Sequence, residues 1–299
     1  RPLDEYLASH IPALVYPPGT TMAYSNYGTS LAAYIVERVC GQPFYAYVQQ
    51  RIFEPLEMTR STFIQPLPAE LAPHMSKGYH LKSGRHVAGE FELVQSYPAG
   101  SLTSSTTDMA KLMLAFLQLG TYGENQILAE ETALLMQSQQ YTKHPEIPGM
   151  AYGFIENIVN GHRILEHGGD TGLFHTGLYL MPHEGLGLYV SYNMVDTAPA
   201  RRELLKAFMD RYFPQEEKPL DTPRPIPLGT YSNYVGTFYS TRSNFSAPET
   251  IARLAQSYRV SVDEDGFLIL STLGSSTRFG EISPGLFVEL DGENKIALS

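Results

Sequence analysis

A chain of 299 residues with 43% hydrophobic and 17% charged residues buries a sizeable core and is long for one average domain, so a large and a small domain are expected. Its 21 basic against 31 acidic residues give a formal charge of −10, spread along the chain, which disfavours a nucleic-acid partner because phosphate binding needs a clustered basic surface. A single cysteine, Cys40, excludes an intramolecular disulfide, and no apolar run reaches the roughly 18 to 20 residues of a membrane-spanning helix.

In chain order, residues 12 to 22 hold three prolines and a glycine, so the backbone must turn before Tyr24. From Ser25 onward Leu31, Ile35, Val36 and Val39 recur at helical spacing, with Ser25 or Asn26 as cap and Gly41 as stop. A second helix is predicted from about Pro43 to Phe53, since Phe44, Val48 and Ile52 share one face. Residues 64 to 98 read as a long excursion of loops and short strands. Met109, Leu112, Met113, Phe116 and Leu117 mark a helix capped by Thr106 or Thr107 and closed by Gly120.

Four apolar runs, at 152–155, 163–166, 176–181 and 187–193, predict consecutive antiparallel strands, followed by a helix from about Pro199 to Tyr212. Residues 214–229 contain five prolines and predict a semi-rigid linker. Beyond it, Tyr258–Val262, Phe267–Leu270 and Leu286–Leu290 alternate like the strands of a small β-barrel, with turns at Asp265-Gly266 and Asp291-Gly292.

Nine histidines raise the question of metal chemistry, but none forms a ligand pair of the His-Glu-x-x-His type. A Gly-x-Gly-x-x-Gly, a P-loop and a Gly-x-Ser-x-Gly elbow are likewise missing, which argues against nucleotide binding and an α/β-hydrolase. What remains is Tyr24-Ser25-Asn26, followed far downstream by Glu166-His167-Gly168-Gly169-Asp170-Thr171-Gly172.

With these two segments the sequence resembles the serine β-lactamase and penicillin-binding-protein family, especially its class C, esterase and D-amino-acid-peptidase branches. Tyr24-Ser25-Asn26 is similar to the family's Tyr-x-Asn motif and His167-Gly168-Gly169 to its Lys-Thr-Gly or His-x-Gly strand motif; the loop Ala99-Gly100-Ser101-Leu102 before Asp108 agrees with the order. The bland alternative is that Tyr24 and Asn26 shape a helix entry and His167 fills a turn.

The resemblance implies an α+β fold: a β-lactamase/transpeptidase-like domain with an antiparallel sheet and a helical subdomain over residues 1–213, the linker 214–229, and a lipocalin-like β module over 230–299. It implies serine-dependent acyl transfer from a small ester, peptide or β-lactam to water, with no cofactor and no metal, in a cell-envelope or periplasmic setting, with any membrane attachment made through segments outside this chain. Tyr24 would share general-base and relay work, which for a phenol needs neighbouring positive charge. Asn26 would hold the lysine and the substrate amide. His167 would face a substrate carboxylate, and Gly168 and Gly169 would leave room for close backbone approach. Histidine in place of the family's lysine weakens the case for a β-lactam substrate, because it is only partly charged near neutral pH.

The family's nucleophile is the serine of Ser-x-x-Lys. Lys77, Lys82, Lys111, Lys143, Lys206, Lys218 and Lys295 are preceded at that spacing by His74, Tyr79, Asp108, Gln140, Glu203, Gln215 and Gly292, so the motif is absent. A front segment carrying it is therefore expected ahead of residue 1, the chain by itself is expected to be inactive, and the core face left uncovered would drive association with another chain. The rival expectation is a non-catalytic binding or scaffold protein of the cell envelope.

Overall fold

The computed structural model describes residues 2–215, 222–227, 229–241, 257–292 and 294–298. Two compact units emerge: residues 1–11, 26–140 and 148–216 form the first, and 12–25, 141–147 and 217–299 the second.

The first unit opens with helix α1 (Leu3–Ser9), whose Leu3 and Leu7 bury against Ala33 of helix α2 (Asn26–Cys40). Helix α2 begins at Asn26 and ends at Cys40, with Gly41 following at φ +69. The apolar stripe used to recognise it faces the other way, however: Leu31, Ile35 and Val39 are 39%, 55% and 80% exposed, while Ser30 and Ala33 are the buried positions. Helix α3 (Phe44–Val48) runs on as a π-helix over Gln49–Phe53, so the predicted helix is present with its second half widened by one residue per hydrogen bond.

The 64–98 excursion contains the hairpin β1 (Tyr79–Lys82) and β2 (Arg85–Ala88), and ends in the single turn α4 (Tyr97–Gly100), where the sequence had suggested a loop. Helix α5 (Thr106–Leu117) is capped one residue earlier than expected: Ser105 Oγ accepts from Asp108 N at 3.2 Å. Asp108 itself is buried, and its Oδ2 accepts from Arg60 N and Ser61 Oγ, each at 2.8 Å. Gly120 reverses the chain at φ +96, with a β-carbon there only 2.4 Å from Leu128 O. Strands β3 (Thr121–Tyr122) and β4 (Asn125–Gln126) and helix α6 (Glu130–Gln137) follow.

The central sheet is an antiparallel meander of β5 (Ile155–Val159), β6 (His162–Asp170), β7 (His175–Met181) and β8 (Leu186–Tyr192), in that order. The first strand begins later than the run 152–155 suggests because Gly153, at φ +78, turns the chain there. Alternation along each strand sends successive side chains to opposite faces. Leu165, Leu178 and Leu180 join Met109, Met113 and Phe53 on one side. On the other, Ile164, Tyr179 and Met181 join Leu205 and Met209 of helix α7 (Ala200–Tyr212). Strand β8 has α5 packed on it and α7 across it and β7, and its residues feed both cores.

In the second unit six strands form one antiparallel, curled sheet: β9 (Gly236–Tyr239), β10 (Ser257–Val262), β11 (Leu268–Thr272), β12 (Ser275–Ser283), β13 (Leu286–Glu289) and β14 (Lys295–Ala297), each paired with the next. Val260, Leu268, Phe279 and Phe287 make its core. Of the proline-rich stretch, residues 222–227 are fastened to this sheet: Arg224 and Glu281 exchange backbone hydrogen bonds at 3.0 and 2.8 Å, and Ile226 is buried.

Candidate active site

The segment Glu166–Gly172 lies on β6 and the turn that follows it. Strand β5 pairs with β6 only as far as Ile155 opposite Glu166, whereas β7 continues alongside from His167 opposite Leu178 to Asp170 opposite His175. Among the described residues, one strand, β7, pairs with the last four residues of β6, and Gly168, Gly169 and Asp170 are exposed. A half-flanked strand of this kind presents backbone donors and acceptors to a ligand laid along it. His167, half-buried, shares the face of Leu165 and therefore stands on the side of the helical core.

Of the two glycines, Gly169 is the one whose surroundings crowd a side chain. A β-carbon on Gly169 would stand 2.6 Å from Thr176 Oγ1, and one on Gly168 would point at the Arg201 guanidinium at 3.4 Å. The space beside Gly168 on the α7 side is therefore filled by the protein itself.

Arg201, in the first turn of α7, donates from Nη1 to Asp170 Oδ1 (2.8 Å), Thr176 O (2.9 Å) and Gly169 O (3.3 Å), and from Nη2 to Asp170 Oδ2 (2.7 Å). Such a two-pronged guanidinium–carboxylate pair fixes geometry as well as charge. The His175 Nδ1 lies 2.8 Å from Asp170 Oδ1, a contact that assigns its proton to Nδ1; its Nε2 is buried and finds no hydrogen-bond partner among the described residues. Burial would raise the Asp170 carboxyl, but the hydrogen bonds from Arg201 and His175 outweigh it and hold the group below the usual aspartate range.

Beyond Asp170 the turn is gripped by Glu92. Its carboxylate accepts from Thr171 Oγ1 (2.5 Å), Gly172 N (2.8 Å) and Leu173 N (3.1 Å). Leu173, 5% exposed, seats against Gly78 and Gly89, where added β-carbons would come within 2.5 and 2.4 Å of it.

Asn26 is exposed as the first residue of α2, in the first unit. Tyr24 and Ser25 belong to the second unit, in the segment that turns at Gly19 (φ +77) with Thr20 bonded back to Pro17 O. Tyr24 is half-buried. His167, Gly168 and Gly169 are consecutive on one strand; Tyr24 and Asn26 are carried by the other segment. The motif by itself gives Asp170 no role, and no local signal marks Glu92 or Arg201, which lie 79 and 31 positions from their principal partners. Among the described residues no group of three or more His, Cys, Asp or Glu could hold a metal ion.

An antiparallel sheet between helical layers, a half-flanked strand bearing His-Gly-Gly and an upstream Tyr-x-Asn are the features on which the resemblance to the β-lactamase and penicillin-binding-protein family rests. The Beta-lactamase family matches residues 3–208, and the chain belongs to that family. Among curated relatives, it is 30% identical over 139 residues to a candidate D-alanyl-D-alanine carboxypeptidase of Escherichia coli O157:H7, covering 40% of this chain and 32% of that protein. It is 25% identical over 183 residues to protein flp of Staphylococcus aureus strain N315, covering 60% and 35%. The match thus spans about a third of these relatives' length. Among solved structures, SurE superposes with a TM-score of 0.62 at 22% identity, over 98% of this chain and 66% of the other. The octameric penicillin-binding protein homologue of Pyrococcus abyssi gives 0.55 at 22%, over 94% and 61%.

Proposed function

We propose that this chain carries the second and third motifs of a serine acyl hydrolase acting on a small ester, peptide or β-lactam, and that its nucleophile is a Ser-x-x-Lys contributed from sequence outside these 299 residues. The observation that carries the reading is the half-flanked end of β6, where His167, Gly168 and Gly169 offer a histidine and an exposed backbone edge side by side. Tyr24 acts as proton relay and Asn26 holds the lysine and a substrate amide; His167 meets a substrate carboxylate, and a strand-edge amide joins the serine's own N–H in the oxyanion hole. An ester or peptide fits a histidine at position 167 at least as well as a β-lactam.

On this reading residues 1–213 are part of the hydrolase domain, 214–229 the connecting stretch, whose residues 222–227 are fastened to the sheet that follows, and 230–299 a packing module. The setting is the cell envelope, as the names of the carboxypeptidase and penicillin-binding relatives suggest. Among the described residues no helix is long and apolar enough to cross a membrane.

Intact-mass analysis after incubation with a fluorophosphonate and, separately, a penicillin tests this. The 299-residue chain is expected to gain no adduct. A protein extended by the in-frame sequence encoded upstream is expected to gain one, on the serine of a Ser-x-x-Lys, with hydrolysis about 10² to 10⁴-fold slower in Tyr24→Phe. An adduct on a serine within the 299 residues sinks the assignment of the nucleophile. A reading frame that opens at Arg1, with no adduct, favours instead a binding protein that keeps the cleft without the chemistry.

A further inference from the structure

We propose that Arg201 and Glu92 are positioning residues that together fix the exposed edge of β6 at Gly168 and Gly169. The function of that edge rests on the hydrolase reading above; the geometry of the two clamps stands apart from it.

The need for a clamp follows from the pairing. Among the described residues, β7 is the strand that pairs with residues 167–170 once β5 has ended opposite Glu166, and the turn 171–174 that joins them to β7 is closed by Thr171 N donating to Phe174 O at 2.9 Å. Exposed strand ends with one neighbour fray, since local opening there breaks few contacts. Here the fraying end is tied down by two opposite charges from distant parts of the chain. Arg201 reaches from α7 to the carbonyls of Gly169 and Thr176, one on each strand of the hairpin, and to the Asp170 carboxylate. A single guanidinium thereby stitches β6 to β7 immediately behind Gly168.

Glu92 holds the turn from the 64–98 excursion. It accepts two consecutive backbone N–H groups and a hydroxyl, the arrangement in which a carboxylate is bound most firmly. A β-carbon on Gly172 would lie 2.6 Å from its Oε1, and the Leu173 side chain is locked into the Gly78 and Gly89 slot, so the turn has no room to shift along the clamp. Neither residue lies on the sheet, and neither is part of the motif. Their common effect is to hold the segment between them, which is the segment a substrate would lie along. For such a segment, displacement by 1 Å costs about 10²-fold in rate.

Backbone-amide hydrogen exchange on the 299-residue chain, for wild type and for Glu92→Gln, Glu92→Ala, Arg201→Lys and Arg201→Met, tests the proposal without requiring a serine. Either clamp's loss should speed exchange at least tenfold across residues 167–176 and shift the amide resonances of Gly168 and Gly169. Exchange in β10 to β13 should stay unchanged as an internal reference. Arg201→Lys should restore only part of the protection, because one ammonium cannot span both carbonyls and the carboxylate. Glu92→Gln, which keeps one acceptor oxygen, should fall between wild type and Glu92→Ala. The double variant should exceed neither single variant by the full sum, because both act on one segment. Exchange within twofold of wild type at 167–170 in all four variants, or shifts confined to residues 171–173 for Glu92 and to 170 for Arg201, overturns the positioning role. In the serine-bearing protein the same substitutions should lower kcat far more than they raise KM. Failure of that protein to label at all removes the hydrolase reading and leaves the exchange result intact.

Discussion

At the scale of single residues, the chain spends its buried charge on holding loops. Asp108, 3% exposed, accepts from the Arg60 amide and the Ser61 hydroxyl, so its carboxylate ties the segment after the π-helix to the start of α5. Asp108→Ala strands the Arg60 amide, while the Ser61 hydroxyl can turn to Ser104 Oγ at 2.7 Å, and should cost about 1 to 3 kcal/mol, read as a fall in the chemical-denaturation midpoint. Glu156 works likewise. Burial would raise its carboxyl, but hydrogen bonds from Gln139, Arg163 and the Gly149 amide hold it low. Glu156 and Asp170 are both lower in the folded state than in the unfolded chain. They therefore contribute stability that is fully present above the unfolded carboxylate range, about pH 4, and is lost as the pH falls through the lower folded values. A melting series from pH 6 to pH 3 should show an acid-side decline that is shallower in Asp170→Asn, the variant having already lost that contribution at pH 6.

At the scale of elements, helix α2 separates two things that periodicity usually joins. Its apolar repeat locates it correctly along the chain, yet Leu31, Ile35 and Val39 lie on the exposed side, and the contacts with α1 are made through Ala33 and half-buried tyrosines. The triple variant Leu31→Gln, Ile35→Gln, Val39→Lys should leave the melting temperature of this chain within the small range of surface substitutions, about 0.5 kcal/mol each, and should reduce binding of a hydrophobic dye. A large loss of stability would show that the stripe is covered in solution. The four central strands and α7 were legible because glycine-punctuated apolar runs leave little choice of period, as at Thr176–Met181. The turn 171–174 was not. Thr171 closes it locally, its N donating to Phe174 O and its Oγ1 accepting from Phe174 N, but Glu92 anchors it, and no local pattern announces a carboxylate that meets its partners 79 to 81 positions away. The cap of α5 slipped by one residue because Ser104, Ser105, Thr106 and Thr107 are all competent caps and only the backbone decides among them.

At the scale of the whole molecule, β6 links the two cores on either side of the central sheet. Its nine residues give Ile164 to one core and Leu165 to the other, each 0% exposed, and then run out as His167, Gly168 and Gly169. Ile164→Ala or Leu165→Ala should cost about 2 to 5 kcal/mol as any filled core position does. The same strand also behaves as a beam built in at one end to two walls and propped at the other by Arg201 and Glu92. A beam so supported does not sag before the building falls. An environment-sensitive label near Gly169 should therefore report its change at the temperature where the unit's calorimetric peak occurs, and heating should offer no window in which the fold persists while the site has already come apart.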